Sequence, residues 1–140
     1  MSEEHTQQLL YQIQMFESYF AELSQRENSL LNIFKDATSA IESIKGIGGK
    51  SESDTLIPIG MGTFIKTKIS SGEKIVLNVG AGIAIEKDKD SAINFLELRI
   101  KEIQVALQDT AAKKQDVASK LEQGKAELNR FIESGSKTKK

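Results

Sequence analysis

Reactive side chains are scarce in this chain, and the motifs that could do chemistry lack their companions. Gly49-Lys50-Ser51 has the closing residues of a phosphate-binding loop. The full pattern needs a glycine where Ile44 stands, with a strand before and a helix after. Here a helical pattern precedes and a strand pattern follows, so a flexible linker accounts for the triplet. Gly60-x-Gly62 and Gly80-x-Gly82 each miss the dinucleotide fingerprint, because Ile65 and Ile85 occupy the third glycine position. Tight turns explain both. His5 is the sole histidine and has no cysteine or carboxylate cluster to complete a metal site or a general-base pair. Glu86, Lys87, Asp88, Lys89 and Asp90 alternate in sign, as solvated junctions do. Lys137, Lys139 and Lys140 read as a solubilising tail, the alternative being contact with an acidic partner. With no cysteine in the chain, disulfides and thiolate chemistry are excluded. No catalytic constellation is left: the expectation is a protein that is not an enzyme and uses no cofactor and no metal.

Composition narrows the partners. A net charge of −1 gives no electrostatic case for gripping a phosphate backbone, which excludes nucleic acid as an expected partner. No run approaches a membrane span, and MSEEHTQQ lacks the basic-then-apolar plan of a signal peptide. A soluble, cytoplasmic protein of one domain is expected.

What the chain does carry is a β-rich stretch set between two helical ones. From Ile57 to Lys66 and again from Leu77 to Glu86, at an offset of twenty positions, it places a short apolar run, a Gly-x-Gly and a second run. That is the mark of two hairpins, spanning 55–87. Ile57, Ile59, Ile65, Ile69, Ile75, Leu77, Val79, Ile83 and Ile85 can share one inward side, by the period of two. The other side holds Lys66, Lys68, Asn78 and Glu86 but also Leu56, Phe64 and Val76. Four short strands cannot close a barrel, and open edges invite another chain to pair. Ile57, Ile59, Phe64, Ile65, Leu77, Val79, Ile83 and Ile85 are therefore the candidate assembly residues. Pro58 donates nothing to a ladder, which puts the first strand at an edge or a bulge.

On either side the apolar residues follow heptads, giving a helix over about 5–45, a linker over 46–54, a helix over about 90–132 and a polar tail over 133–140. Leu9, Phe16, Leu23 and Leu30 continue to Ile44 in one series; Ile13, Phe20, Glu27, Phe34 and Ile41 form the other. Ile93 to Leu128 and Leu96 to Phe131 repeat the pattern in the second helix. The fold class is thus α+β: a long antiparallel coiled-coil hairpin, each arm on the order of 60 Å, with two β-hairpins at its base. Setting Ile44 opposite Ile93 puts Ile13 opposite Gly124, small against large, and brings Lys114 within a layer of Glu27. At the far end Leu10, Tyr11 and Met15 lie off the seam, and Phe131 and Ile132 fall past its last well-opposed layer. These five either fold in as a capping layer or form a surface for nonspecific capture of apolar chain, which adaptable Met, Leu and aromatic groups suit.

The order helix, glycine-rich loop, two hairpins, helix resembles the prefoldin alpha-type subunit of the archaeal type. Leu56-Ile57-Pro58-Ile59-Gly60-Met61-Gly62-Thr63-Phe64-Ile65 and Val76-Leu77-Asn78-Val79-Gly80-Ala81-Gly82-Ile83-Ala84-Ile85-Glu86-Lys87-Asp88 carry the likeness, which covers essentially the whole chain. Ile83 or Phe64 stands where that family often has a tyrosine. Two hairpins imply the alpha type, since beta-type relatives carry one. The resemblance implies an assembly of two alpha and four beta subunits whose strands build a double β-barrel bearing six coiled coils. It implies an ATP-independent chaperone that holds unfolded client proteins between the tips and transfers them to a group II chaperonin. Two other readings stand beside it: a coiled-coil spacer whose sheet only oligomerises it, and a nucleic-acid-binding helical arm, which the neutral charge disfavours.

Overall fold

A computed structural model describes residues 3–47 and 52–138. Their order is α1 (Glu3–Ile47), β1 (Glu52–Gly60), β2 (Thr63–Ser70), β3 (Ile75–Gly80), β4 (Ile83–Lys87) and α2 (Lys89–Thr138). The expected linker over 46–54 is shorter than the sequence suggested: β1 begins at Glu52, since Glu52 and Ser53 pair with Ser70 and Ile69. That start is polar, so it showed no alternation. α2 also runs past 132 into the expected tail, with no proline to stop it. Residues 48–51 lie outside the described residues.

The chain divides into two compact units, Met1–Asn32 with Gln104–Lys140, and Ile33–Ile103. In the first, the helices run antiparallel. Leu9, Ile13, Leu23, Thr110 and Val117 are buried along the seam. A Cβ placed on Gly124 would come within 3.1 Å of Ile13 Cγ1, so these two residues face each other as the heptads predict. A glycine inside a helix costs about 1 kcal/mol against alanine; here it admits the isoleucine. One polar layer interrupts the seam. Lys114 Nζ donates to Glu27 Oε1 at 3.1 Å and sits 5.1 Å from the centroid of the Phe20 ring. The buried Thr110 hydroxyl donates to Ala106 O at 2.8 Å.

In the second unit a small core joins α1, β3 and α2: Ile44, Leu77 and Ala92 are buried, with Ile75, Ile93, Phe95 and Leu96 packed on them. The junction is capped twice. Asp88 Oδ1 accepts from Ser91 N at 2.7 Å, closing the start of α2, and Lys89 Nζ donates to Ile47 O at 3.4 Å, covering the end of α1. The strands form two separate two-stranded antiparallel sheets, β1–β2 and β3–β4, the two hairpins that the sequence repeat predicts. Each hairpin completes its ladder only with itself, so each keeps both outer edges open.

Candidate functional site

The two Gly-x-Gly motifs are turns. Met61 and Gly62 have φ of 50° and 74°, Ala81 and Gly82 have 53° and 75°, and Gly60 and Gly80 precede them at 114° and 106°. Positive φ at both central residues is the type I′ geometry that matches strand twist. The ladder slips between Pro58 and Gly60 and again between Asn78 and Gly80, so the twenty-residue repeat is a repeat of shape. Neither turn forms a phosphate cradle on a helix. Gly49-Lys50-Ser51 lies outside the described residues. Among the described residues no three or more His, Asp or Glu side chains gather as a metal site would require. His5 Nε2 lies 3.8 Å from Glu127 Oε1, and its ring meets that of Phe131 edge-on at 5.0 Å. It serves as packing at the helix ends.

What the structure presents is apolar surface, most of it in two places, with Leu31, Ile33, Leu98 and Val105 exposed elsewhere on the helices. The first is the hairpins. Ile57 pairs with Ile65, and Leu77 with Ile85, on the shared faces that alternation assigns. Their surroundings differ. Leu77 is 8% exposed and belongs to the core of this chain. Ile57, Ile59, Phe64, Ile65, Val79, Ile83 and Ile85 stay exposed, as do Leu56 and Val76 on the opposite faces. Hairpin β1–β2 is apolar and uncovered on both faces toward its turn. An isolated two-stranded ribbon is at best marginal in water, so such a ribbon needs added strands or a packed layer.

The second place is the end of the helix pair formed by the first turns of α1 and the last of α2. Leu10, Tyr11, Met15 and Ile132 are exposed, Tyr11 by 64%. Phe131 differs from them: it is half-buried under His5. Tyr19, also exposed, was missed by the sequence analysis. Its signal was its place four residues after Met15, which stacks Tyr11, Met15 and Tyr19 along one helix face. Leu98 and Val105, seven residues apart off the seam, are exposed as well.

Junction electrostatics are local. The backbone N–H of Ser91, then its hydroxyl, holds the Asp88 carboxyl below its ordinary range; desolvation opposes them, and Lys74 and then Lys87 add smaller attractions.

Two long helices bracketing two β-hairpins, with open strand edges, uncovered apolar faces and no reactive cluster among the described residues, define an assembly-forming coiled-coil protein. The family model described as Prefoldin subunit matches residues 6–133. Prefoldin subunit alpha of Nitrosopumilus maritimus is 62% identical over 134 residues, covering 96% of this chain and 92% of that protein. Prefoldin subunit alpha 1 of Thermococcus kodakarensis is 36% identical over 98 residues, covering 69% and 66%. In fold the chain is similar to the crystal structure of the prefoldin beta subunit from Thermococcus strain KS-1, with a TM-score of 0.62, 14% identity and 91% of each chain covered. It is also similar to the cryo-EM structure of filamentous PFD from Methanocaldococcus jannaschii, with a TM-score of 0.55, 20% identity, and 90% and 99% covered. The chain belongs to the prefoldin family, a family of chaperone subunits. Closing a barrel from its hairpins requires other subunits.

Proposed function

We propose that this chain is the alpha-type subunit of a cytoplasmic, ATP-independent chaperone that captures unfolded polypeptides and transfers them to a group II chaperonin. In this reading its hairpins are completed by beta-type subunits, two alpha with four beta, which leaves the helix pairs free. Capture belongs to Leu10, Tyr11, Met15 and Ile132, with Tyr19 extending the stripe and Phe131 supporting it from beneath His5. The observation that carries the reading is this exposed apolar group at the helix ends, built of flexible and aromatic side chains and lying in a different unit from the hairpins. Each contact with a client contributes at most about 1.5–3 kcal/mol, so one helix end holds weakly and several together hold by avidity. That combination suits a carrier that must let go.

The test is aggregation of an unrelated, chemically denatured protein on dilution, with and without the reconstituted complex and with no nucleotide. Suppression at near-stoichiometric amounts is expected. A complex that assembles fully yet leaves aggregation unchanged would identify the chain as a coiled-coil spacer instead.

A further inference from the structure

The two hairpins have the same turn but not the same tip. Met61 and Ala81 occupy the same place, with φ of 50° and 53°, each between two glycines of positive φ. A left-handed residue there is best filled by Asn, Asp or Gly. Ala81 shows that the backbone closes with a single methyl group. The longer side chain of Met61 does nothing for the turn and touches nothing else: it is 102% exposed. Ile59 and Phe64, both exposed, flank it and continue into the uncovered faces of β1–β2. A residue that breaks the local rule and leaves its apolar side chain in water is suited to a partner.

We propose that Met61 is an assembly anchor whose thioether inserts into an apolar recess of a neighbouring subunit of different sequence. Methionine suits such a knob, because an unbranched, polarizable chain fills irregular gaps. The receiving subunit differs in sequence because, among the described residues, two cavities beside the hairpins of this chain are polar and charged and so unfit for it. One is walled by Asp54, Lys66 and Lys68, another by Glu73, Lys74 and Asp88. The inference rests on the reading that other subunits complete these hairpins, and it makes the hairpins unequal: β1–β2 docks by a knob, β3–β4 by its faces.

The chain carries its own reference for the test. Met15, exposed on α1, is a second surface methionine in a different unit. The full-length chain, alone and after assembly with the beta-type prefoldin subunit of the same organism, is given a brief hydrogen peroxide pulse. Sulfoxide at Met15 and Met61 is then quantified by mass spectrometry. Assembly is expected to slow oxidation of Met61 by about tenfold or more and to leave Met15 unchanged. Met61→Asn, which suits the turn better, is expected to weaken the complex about tenfold or more, as loss of an interface anchor does. Equal oxidation of Met61 before and after assembly would overturn the proposal, and so would a Met61→Asn chain that assembles as tightly as the parent. Protection in the chain alone would make a second copy the receiver and refute the heterologous recess. Sedimentation before the pulse separates the two levels: no complex means the assembly reading has failed, and the anchor with it. Assembly with protected Met61 but no suppression of aggregation would sink the chaperone reading and leave the anchor standing.

Discussion

Asp88 and Gly124 show single residues deciding local structure. The Asp88 carboxylate is held by the N–H and hydroxyl of Ser91, and its folded-state pKa lies below the ordinary value. A depressed carboxyl contributes stability above its unfolded pKa and loses it as pH falls through the lower folded one. Asp88→Asn keeps a cap but removes the charge. The variant is expected to melt slightly below the parent at neutral pH, with the gap closing in acid; a gap independent of pH in thermal circular dichroism would contradict this. At Gly124 two opposed effects meet. Alanine would gain about 1 kcal/mol of helix propensity, yet its Cβ would lie 3.1 Å from Ile13 Cγ1. Gly124→Leu goes far beyond what Ile13 can yield and is expected to cost about 1–3 kcal/mol, read as a lower melting temperature. Gly124 was legible through its facing Ile13 in the heptads, whereas Asp88 stood out as one of five alternating charges without being singled out as the cap of α2. The packing of His5 over Phe131 was not legible, since it depends on where the last helical turn stops.

Among the elements, the helix pair and the hairpins answer to different rules. The Glu27–Lys114 layer has side chains about a quarter exposed, at 28% and 23%, so its ion pair aligns the helices more than it stabilises them. Replacing both residues with leucine is expected to stabilise the pair by about 1 kcal/mol, while disulfide trapping between introduced cysteines shows more than one register. A single trapped register would contradict that role. Of the described strand residues only Leu77 is buried, and β1–β2 is uncovered on both faces toward its turn. Ile65 is exposed and Leu77 is not, so Ile65→Asp is expected to abolish assembly with the helical signal kept, and Leu77→Asp to disrupt the core shared with Ile44 and Ala92. An Ile65→Asp chain that still assembles would count against the hairpins as the assembly surface. Period two in the sequence told which residues share a face. It could not tell that Leu77 is covered by this chain while Ile57 and Ile65 wait for another, because alternation is the same whichever molecule provides the cover. The polar start of β1 read as linker because it carries no apolar alternation.

At the scale of the whole molecule the chain is an unfinished structure, with apolar surface in each of its two units and nothing reactive among the described residues to explain it otherwise. Among those residues no helix is long and apolar enough to cross a membrane. The surface on the hairpins has an explanation in assembly, so the surface at the helix ends bears the functional claim. Replacing Leu10, Tyr11, Met15 and Ile132 with serine touches exposed positions and should leave the complex intact by sedimentation. The most direct measurement is suppression of aggregation of a denatured, unrelated protein by that complex beside the parent, at equal concentration and without nucleotide. Several weak contacts acting through avidity predict that the four substitutions reduce suppression by about tenfold or more in the concentration required. Undiminished suppression by a fully assembled variant would contradict the account and put capture on the helix flanks or the hairpins.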